Sequence, residues 1–558
     1  MARYVYPRIR LSGTDLLSRA GVIYAQILGD LLMKVDEGKG DYPKGFFHTS
    51  TTPESEPNYY RDMWSRDVGR GLMELCRAGL TGPCGDAIEF ILSKGFNAKD
   101  HYGRLICSDV TAGDYEVDGN VNILMAMYMY WAYTGRKKED ADRFLRNADS
   151  VFGWFARMGE ACPYGFLLPS CSELSGNPDT GYRIYAVYAT YGAVGVLSAY
   201  AEMAHAAGDA ARESTCRDLR SRFERSMLET LVSLGPGSAQ GTKTPAGVWL
   251  NGLDERTGKA AEIGDFGPRF FIHRWTRQLP FVQDYDRGEA CAPDPFVPVN
   301  EASYRYLKAG MVQGYWFRKY GFVSCTCFTG MGDRHDDTMA GYGQNLFSQA
   351  ALMSDDVNVY TKCLDGISRL AYDGDIVDPL TPDRNPWVMH ECFTYENYEQ
   401  GLDHTYGRTG VPERFIMHNP GDEGNLVQSA ETLRTYSLMA GITSRGRELL
   451  ILPRLPWECT EAHVEDFPVP ASDGTLRRIG YDFAAERWKN RLSVRITGTA
   501  AFDSVRVRLG PLPNLLFDEA ELRKDWTIER KHEACFATRV LGNPEHKDEI
   551  FVELINEK

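Results

Sequence analysis

Long hydrophobic runs are missing from this 558-residue sequence: no stretch approaches the ~20 consecutive apolar residues of a membrane-spanning helix. Runs of Lys and Arg are missing too. The 62 basic residues are outnumbered by 77 acidic ones, for a formal net charge of −15. General nucleic-acid binding and attraction to anionic membranes therefore lack their electrostatic footing. The opening MARYVYPRIRL breaks at Ser12-Gly13-Thr14-Asp15 with no apolar signal-peptide core, which makes a cytoplasmic location the expectation. The 13 cysteines are odd in number, and the chain is far larger than the small secreted domains that disulfides staple, so buried thiols are expected. No paired C-x-x-C spacing exists, and Cys325-Thr326-Cys327 stands alone. His390-Glu391-Cys392 and Asp403-His404 find no third ligand at helical or hairpin spacing, so no metal is expected. No phosphate-binding G-x-x-x-x-G-K-[ST] loop and no dinucleotide fingerprint occurs, and no cofactor is expected. Fixed-period repeats and low-complexity segments are also absent. The 43% hydrophobic and 25% charged residues are those of a globular chain, long enough for two or three domains.

Aromatic residues are plentiful. They make up 12% of the chain and cluster beside polar groups, as in Tyr59-Tyr60-Arg61-Asp62-Met63-Trp64, Tyr182-Arg183-Ile184-Tyr185 and Tyr395-Glu396-Asn397-Tyr398. A sugar offers an apolar ring face and a rim of hydroxyls, so its site wants aromatics among Asp, Glu, Arg and Asn. Large proteins also bury many tyrosines for packing alone.

Apolar positions recur at helical spacing through the first ~440 residues, giving helices near 14–35, 67–79, 84–95, 119–135, 138–158, 182–206, 209–234, 301–320, 338–353, 356–371 and 425–441. They come in consecutive pairs joined by short turns such as Ala207-Gly208-Asp209, with longer Gly-, Pro- and Asp-rich loops between pairs. Such alternation suits a ring of helical hairpins with the long loops gathered at one mouth. The stretches near 236–300 and 373–424 are too long for plain connections and are expected to be loop insertions that shape a site. From 444 the period changes to the alternation of half-buried strands, as in Arg491-Leu492-Ser493-Val494-Arg495-Ile496 and Ser504-Val505-Arg506-Val507. The expected division is a helical domain over 1–443 and a small antiparallel β-sandwich over 444–558.

Four long loops end at helix starts and carry acidic or amide groups there. They are Trp64-Ser65-Arg66-Asp67; Asp118-Gly119-Asn120-Val121-Asn122; Ser172-Glu173 running on to Tyr182; and Gly421-Asp422-Glu423-Gly424-Asn425. Helix N-termini favour Asp and Asn as caps in any case. The functional reading rests on all four meeting at one end of a ring, where two carboxylates facing a pocket suit glycosidic-bond cleavage. Asp333-Arg334-His335-Asp336-Asp337 is a further charged loop, read either as a solvated helix start or as a sugar-binding loop. Glu431, inside helix 425–441, reads as structural support.

Trp64-Ser65-Arg66-Asp67 resembles the W-T-R-D signature of the glucoamylase-like, six-hairpin glycosidases, a superfamily that includes debranching-enzyme-like members. Asp118-Gly119-Asn120-Val121-Asn122-Ile123-Leu124 is similar to their D-x-x-G-x-x-L helix start, with Val121 at the glycine position. Glu173 matches the place of the general-acid glutamate, with Ser172 where that family has tryptophan. Gly421-Asp422-Glu423-Gly424-Asn425-Leu426, followed by Ser429, resembles the segment holding the general base. The matches occur in family order over about residues 60–440.

This resemblance implies an (α/α)6 toroid with a trailing β-sandwich, and an inverting, exo-acting O-glycosyl hydrolase on α-linked oligosaccharides. Glu173 would be the acid and Glu423 the base. Trp64, Arg66, Asp67, Asp118, Asn122, Tyr182 and Asp336 would bind substrate, and no metal or cofactor would take part. Arg66 beside Asp67 favours an ionised carboxylate, suited to accepting hydroxyls. Glu173 has apolar sequence neighbours (Leu167, Leu168, Pro169, Leu174), which suits a raised pKa. The alternatives are an inverting phosphorylase with Arg183, His335 or Arg408 on phosphate, a lyase on a similar toroid, and a non-catalytic carbohydrate-binding relative. The acid could also come from loop 333–337. Trp249, Trp275, Trp316 and Trp387 are expected to fold over the mouth and leave a blind pocket. Sugar identity, linkage and oligomeric state are not encoded in any of these motifs.

Overall fold

The computed structural model describes residues 4–40, 42–49, 63, 65–95, 98–99, 105–106, 117–170, 184–260, 295–323, 338–372, 392–395, 415–417, 426–489, 491–513 and 519–555. After a strand, β1 (Arg8–Ser12), and a helical turn at Asp15–Ser18, the helical domain contributes twelve helices among these residues. They are α1 (Ala20–Met33), α2 (Ser65–Arg77), α3 (Thr81–Phe90), α4 (Val117–Tyr133), α5 (Lys138–Ala161) and α6 (Val187–Ala207). Then follow α7 (Ala210–Thr230), α8 (Val297–Met311), α9 (Tyr315–Tyr320), α10 (Gly341–Met353), α11 (Val357–Tyr372) and α12 (Leu426–Ala440).

Odd and even helices differ in how they are buried, and the sequence says why. Helix α5 hides only one stripe, including Ala141, Phe144, Leu145, Ala148, Val151 and Phe155, the spacing of an amphipathic outer helix. Helix α12 buries every residue from Leu426 to Ala440, and α6 nearly every one, as inner helices must. Packing runs α2 to α4, α4 to α6, α10 to α12 and α12 back to α2. Tyr191 on α6 meets Phe296 at the start of α8, and Tyr304 on α8 stacks on Phe347 of α10, which closes the inner ring. This is an (α/α)6 toroid.

Connections from inner to outer helices are two to four residues long, whereas those from outer to inner run from 20 to 66. The α6–α7 turn shows the local cause. Gly208 takes a left-handed φ of 77° that closes α6, and the Asp209 carboxylate caps α7 by accepting from Arg212 N at 3.0 Å. Helix direction then puts all six long connections at the N-termini of the inner helices, which defines a mouth. The expected helix 301–320 is two helices, broken at 312–314. Asp15–Met33 is long and apolar enough by composition to cross a bilayer. Here it packs as the outer helix α1, with Ile23, Ile27, Leu28 and Leu31 buried.

Short strands stitch the long connections to one another. Ile184–Ala186, which leads into α6, pairs with Pro169–Ser170 and with Gly252–Asp254. Thr338–Ala340, which leads into α10, pairs with Cys392–Tyr395, itself paired with Phe415–Met417. Of the expected insertions, the described strands Gly252–Asp254, Cys392–Tyr395 and Phe415–Met417 are thus tied to the segments that lead into α6 and α10.

The C-terminal domain is two five-stranded sheets. One joins β1 to Glu461–Pro470, Leu476–Glu486, Arg491–Thr497 and Glu549–Ile555, all antiparallel. Its edge strand thus comes from the N-terminus, so the sandwich extends beyond the expected 444–558. The other sheet contains Ile442–Arg445, Glu448–Ile451, Ser504–Pro513, Ala534–Gly542 and Thr527–Lys531. Within it, Glu448–Ile451 and Ser504–Pro513 run parallel, a departure from the wholly antiparallel expectation. The domain is fixed to the end opposite the mouth. Arg508 reaches Asp355 in the α10–α11 turn at 2.8 Å, and Tyr481 donates to the Ala440 carbonyl at 3.0 Å.

Candidate functional site

The mouth is built outward from α2 and α4. Gly69 and Gly119 allow these helices their close approach. A Cβ on Gly119 would sit 2.2 Å from Ser65 Oγ, and one on Gly69 2.6 Å from Asn122 Cβ. With the backbones that near, Asn122 Nδ2 donates to the Arg66 carbonyl at 3.0 Å. The Arg66-Asp67 pair in the first turn of α2 and the Asp118–Asn122 turn of α4 are thereby brought together. Arg66 and Asp67 are half-buried, and Asn122 is fully buried.

Helix α12 starts on the other side of α2. A Cβ on Gly71 would meet Leu426 Cδ1 at 2.9 Å, and Leu426 N donates to the Thr49 carbonyl at 2.7 Å. Ser429, part of the expected base segment, donates to Asp30 Oδ2 at 3.2 Å on α1. Asp30 is also paired with Lys34, whose burial pulls its ammonium pKa down from its ordinary value. His48 lies 3.4 Å from Asp36; burial lowers its pKa while Asp36 opposes that fall.

Beneath this rim the ring is held by charge. Arg70 on α2 donates two bonds to Glu431 on α12, Nε to Oε1 at 2.7 Å and Nη2 to Oε2 at 2.8 Å. Both side chains are buried, at 1% and 0% exposure. Gln349 on α10 donates to the same carboxylate at 2.9 Å, and Asn345 donates to Thr432 at 2.9 Å. Glu74 lies next to this group, paired with Arg77 at 3.2 Å; burial raises its pKa against the pull of Arg77, Arg434 and Arg70. Three inner helices are thus locked below the mouth, and Glu431 has the supporting role its sequence position suggests.

Several buried amides near the mouth keep unpaired atoms: Asn120 Oδ1, Asn122 Oδ1, and both polar atoms of Asn251 and of Gln428. Buried amides without partners are costly unless something else satisfies them, and amides suit hydroxyl ligands that both donate and accept. Asn251 and Gln428 were not singled out by sequence reasoning. Their signal was faint: Gln428 is a polar residue on the wholly buried α12, and Asn251 directly precedes the strand Gly252–Asp254.

Of the expected site residues, Arg66, Asp67 and Asn122 are described and adjoin, and Asp118 is the second residue of α4. Trp64, Glu173, Tyr182, Asp336 and Glu423 lie outside the described residues, as do Arg183, His335, Arg408, His390, Glu391, Asp403 and His404. By chain position Glu173 falls in the connection into α6, and Glu423 three residues before α12. Trp249, expected in a lid, is instead a core residue. It is 2% exposed, edge-on to Phe296, and its Nε1 donates to Asn300 at 2.8 Å. Among the described residues no group of three His, Cys, Asp or Glu could hold a metal.

No family profile matches the chain, and no curated protein is similar to it in sequence. Solved structures are similar to it in fold. An α-L-rhamnosidase of Streptomyces avermitilis, complexed with L-rhamnose, superposes with a TM-score of 0.53 at 12% identity, over 98% of this chain and 42% of that one. The α-L-rhamnosidase of Dictyoglumus thermophilum gives 0.52 at 10% identity, over 99% and 50%. The glucoamylase of Saccharomycopsis fibuligera gives 0.50 at 11% identity, over 78% and 97%. The chain thus spans half or less of the rhamnosidases' length and nearly all of the glucoamylase. The fold is that of the six-hairpin glycosidases.

Proposed function

We propose that this chain is an inverting, exo-acting glycoside hydrolase on an α-linked oligosaccharide, with Glu173 as general acid and Glu423 as general base. The observation that carries the reading is the convergence at one mouth of Arg66-Asp67, the α4 turn from Asp118 to Asn122, and the start of α12. The two carboxylates fall, by chain position, in connections that open on that mouth. Neighbours of the same fold are named as rhamnosidases and a glucoamylase, which supports the reaction class.

In this mechanism Arg66 and Asp67 hold hydroxyls of the terminal sugar, Trp64 and Tyr182 pack on its ring, and Asp118, Asn122 and Asp336 complete the rim. Glu423 takes a proton from a water on the far side of the anomeric carbon as the water oxygen bonds to that carbon. The glycosidic bond breaks, and the leaving oxygen takes the proton of Glu173. The geometry requires the two carboxyl groups about 6.5–9.5 Å apart, enough for the water. In this reading the long segments near 236–300 and 373–424 fold over the mouth and leave a closed pocket, so that single sugars leave from the non-reducing end.

A panel of chromogenic α- and β-glycosides, with NMR of the first anomer formed, tests this. An inverted anomer and an immediate monosaccharide product are expected. Glu423→Gln should lower kcat by several orders of magnitude with little change in KM, whereas Asp67→Asn should harm both. A retained anomer, or near-normal turnover by Glu423→Gln, would overturn the assignment.

A further inference from the structure

On the outer wall of the toroid, a groove of about 310 Å3 runs between α9, α11 and the segment that enters the β-sandwich. One face of α11 forms its floor: Asn358, Thr361, Asp365 and Arg369 recur at helical spacing. Tyr320, at the end of α9, and Trp457, in the entering segment, supply aromatic walls.

The walls are held in place. Trp457 Nε1 donates to Asn358 Oδ1 at 2.9 Å, and Asn358 Nδ2 donates to Glu533 at 2.7 Å. Arg487 donates to the Trp457 carbonyl at 2.7 Å. Tyr320 stacks on Phe322, ring centres 5.5 Å apart. A Cβ on Gly321 would lie 2.0 Å from the Lys362 carbonyl, so α9 and α11 meet without slack. Thr361 Oγ1 is buried and has no hydrogen-bond partner, a state that a bound hydroxyl would relieve. Charges of both signs surround it: Lys319, Lys362 and Arg369 against Asp365 and Glu458. Three cations against two carboxylates leave donors and acceptors of both signs within reach of a hydroxyl-rich neutral ligand.

From these features we infer that the groove is a second, non-catalytic saccharide site, in which a neutral sugar packs on Trp457 and hydrogen-bonds Thr361, Asp365 and Arg369. Aromatic rings beside alternating donors and acceptors match the apolar face and hydroxyl rim of a pyranose. The site lies outside the ring of inner helices, so it would hold a chain without exposing it to the mouth. The inference stands apart from the catalytic reading, since it concerns binding without turnover.

Isothermal titration of the full chain with maltoheptaose and with an α-mannan oligosaccharide tests it. At least one probe should bind in a class of sites that Asp67→Asn leaves unchanged. Trp457→Ala should weaken that class about tenfold or more, through loss of the stacked ring. Thr361→Val keeps the side-chain shape, removes only the unpaired hydroxyl, and should weaken the same class with no loss of stability. Neither variant should alter hydrolysis of a small chromogenic glycoside. Failure of both probes to bind at this class, or unchanged binding by Thr361→Val and a folded Trp457→Ala, would overturn the inference. Absence of hydrolysis with groove binding intact would count against the catalytic proposal alone.

Discussion

Replacing Arg70 by Met would leave the Glu431 carboxylate buried without its two charge-assisted hydrogen bonds. Water cannot reach the site, because both side chains are at most 1% exposed. Breaking a buried pair from one side costs about 3–5 kcal/mol, most of it from the stranded charge. Removing both charges is a different perturbation. Arg70→Met combined with Glu431→Met trades the pair for apolar groups of similar length, which is often close to neutral. Gln349 moderates that recovery, since its Nε2 loses the 2.9 Å bond to Glu431 and keeps 3.2 and 3.4 Å contacts to the Glu431 carbonyl and Thr435. A residual loss of about 1–3 kcal/mol is therefore expected in the double variant. The assay is urea unfolding followed by helical circular dichroism, with wild type, both singles and the double compared at the helical-domain transition. The double should unfold at a higher urea concentration than Arg70→Met. If the double is as unstable as the two single losses added together, the pair is not a coupled unit and the reasoning fails.

Gly119→Ala should spread α2 from α4, since its Cβ would lie 2.2 Å from Ser65 Oγ. A loss of about 1–3 kcal/mol is expected; adding Ser65→Ala should return much of it, as a melting comparison would show. Asp365 has its pKa pushed up to about 6 by burial and by Glu458, with Arg369 and Lys362 opposing. Its raised folded-state pKa means that the native chain holds a proton between the ordinary value of 3.8 and about 6, so its contribution to stability falls as pH rises through that window. Asp365→Asn should therefore melt higher than wild type at pH ~7, by on the order of 1 kcal/mol once its partial exposure is discounted, and the gain should vanish near pH ~4. An equal difference at both pH values would exclude this origin.

Local chemistry determined much of the architecture. Amphipathic stripes such as that of α5, largely apolar stretches such as α6, and breakers such as Gly208-Asp209 follow from periodicity and backbone preference, so paired helices and a strand-rich tail could be read directly. The Arg66-Asp67 and Asp118–Asn122 motifs were equally legible, because helix starts concentrate such groups. Contacts across the ring were not. Arg70 and Glu431 are 361 residues apart, and nothing local in either helix selects that partner. Five alternating residues at Arg8–Ser12 fit any half-buried edge, and only closure of the sandwich seats them against their partner strand, Glu461–Pro470. The parallel pairing of Glu448–Ile451 with Ser504–Pro513 is likewise invisible in strand pattern, since alternation is the same in either direction. Trp249 shows the limit most plainly: a tryptophan in a long loop reads as a lid, but its burial beside Phe296 and Asn300 depends on where α8 stands in the closed ring. The sequence determined which segments are helix, strand or mouth loop; the tertiary structure decided which buried charges, amides and aromatics meet, because those pairings exist only once the ring is shut.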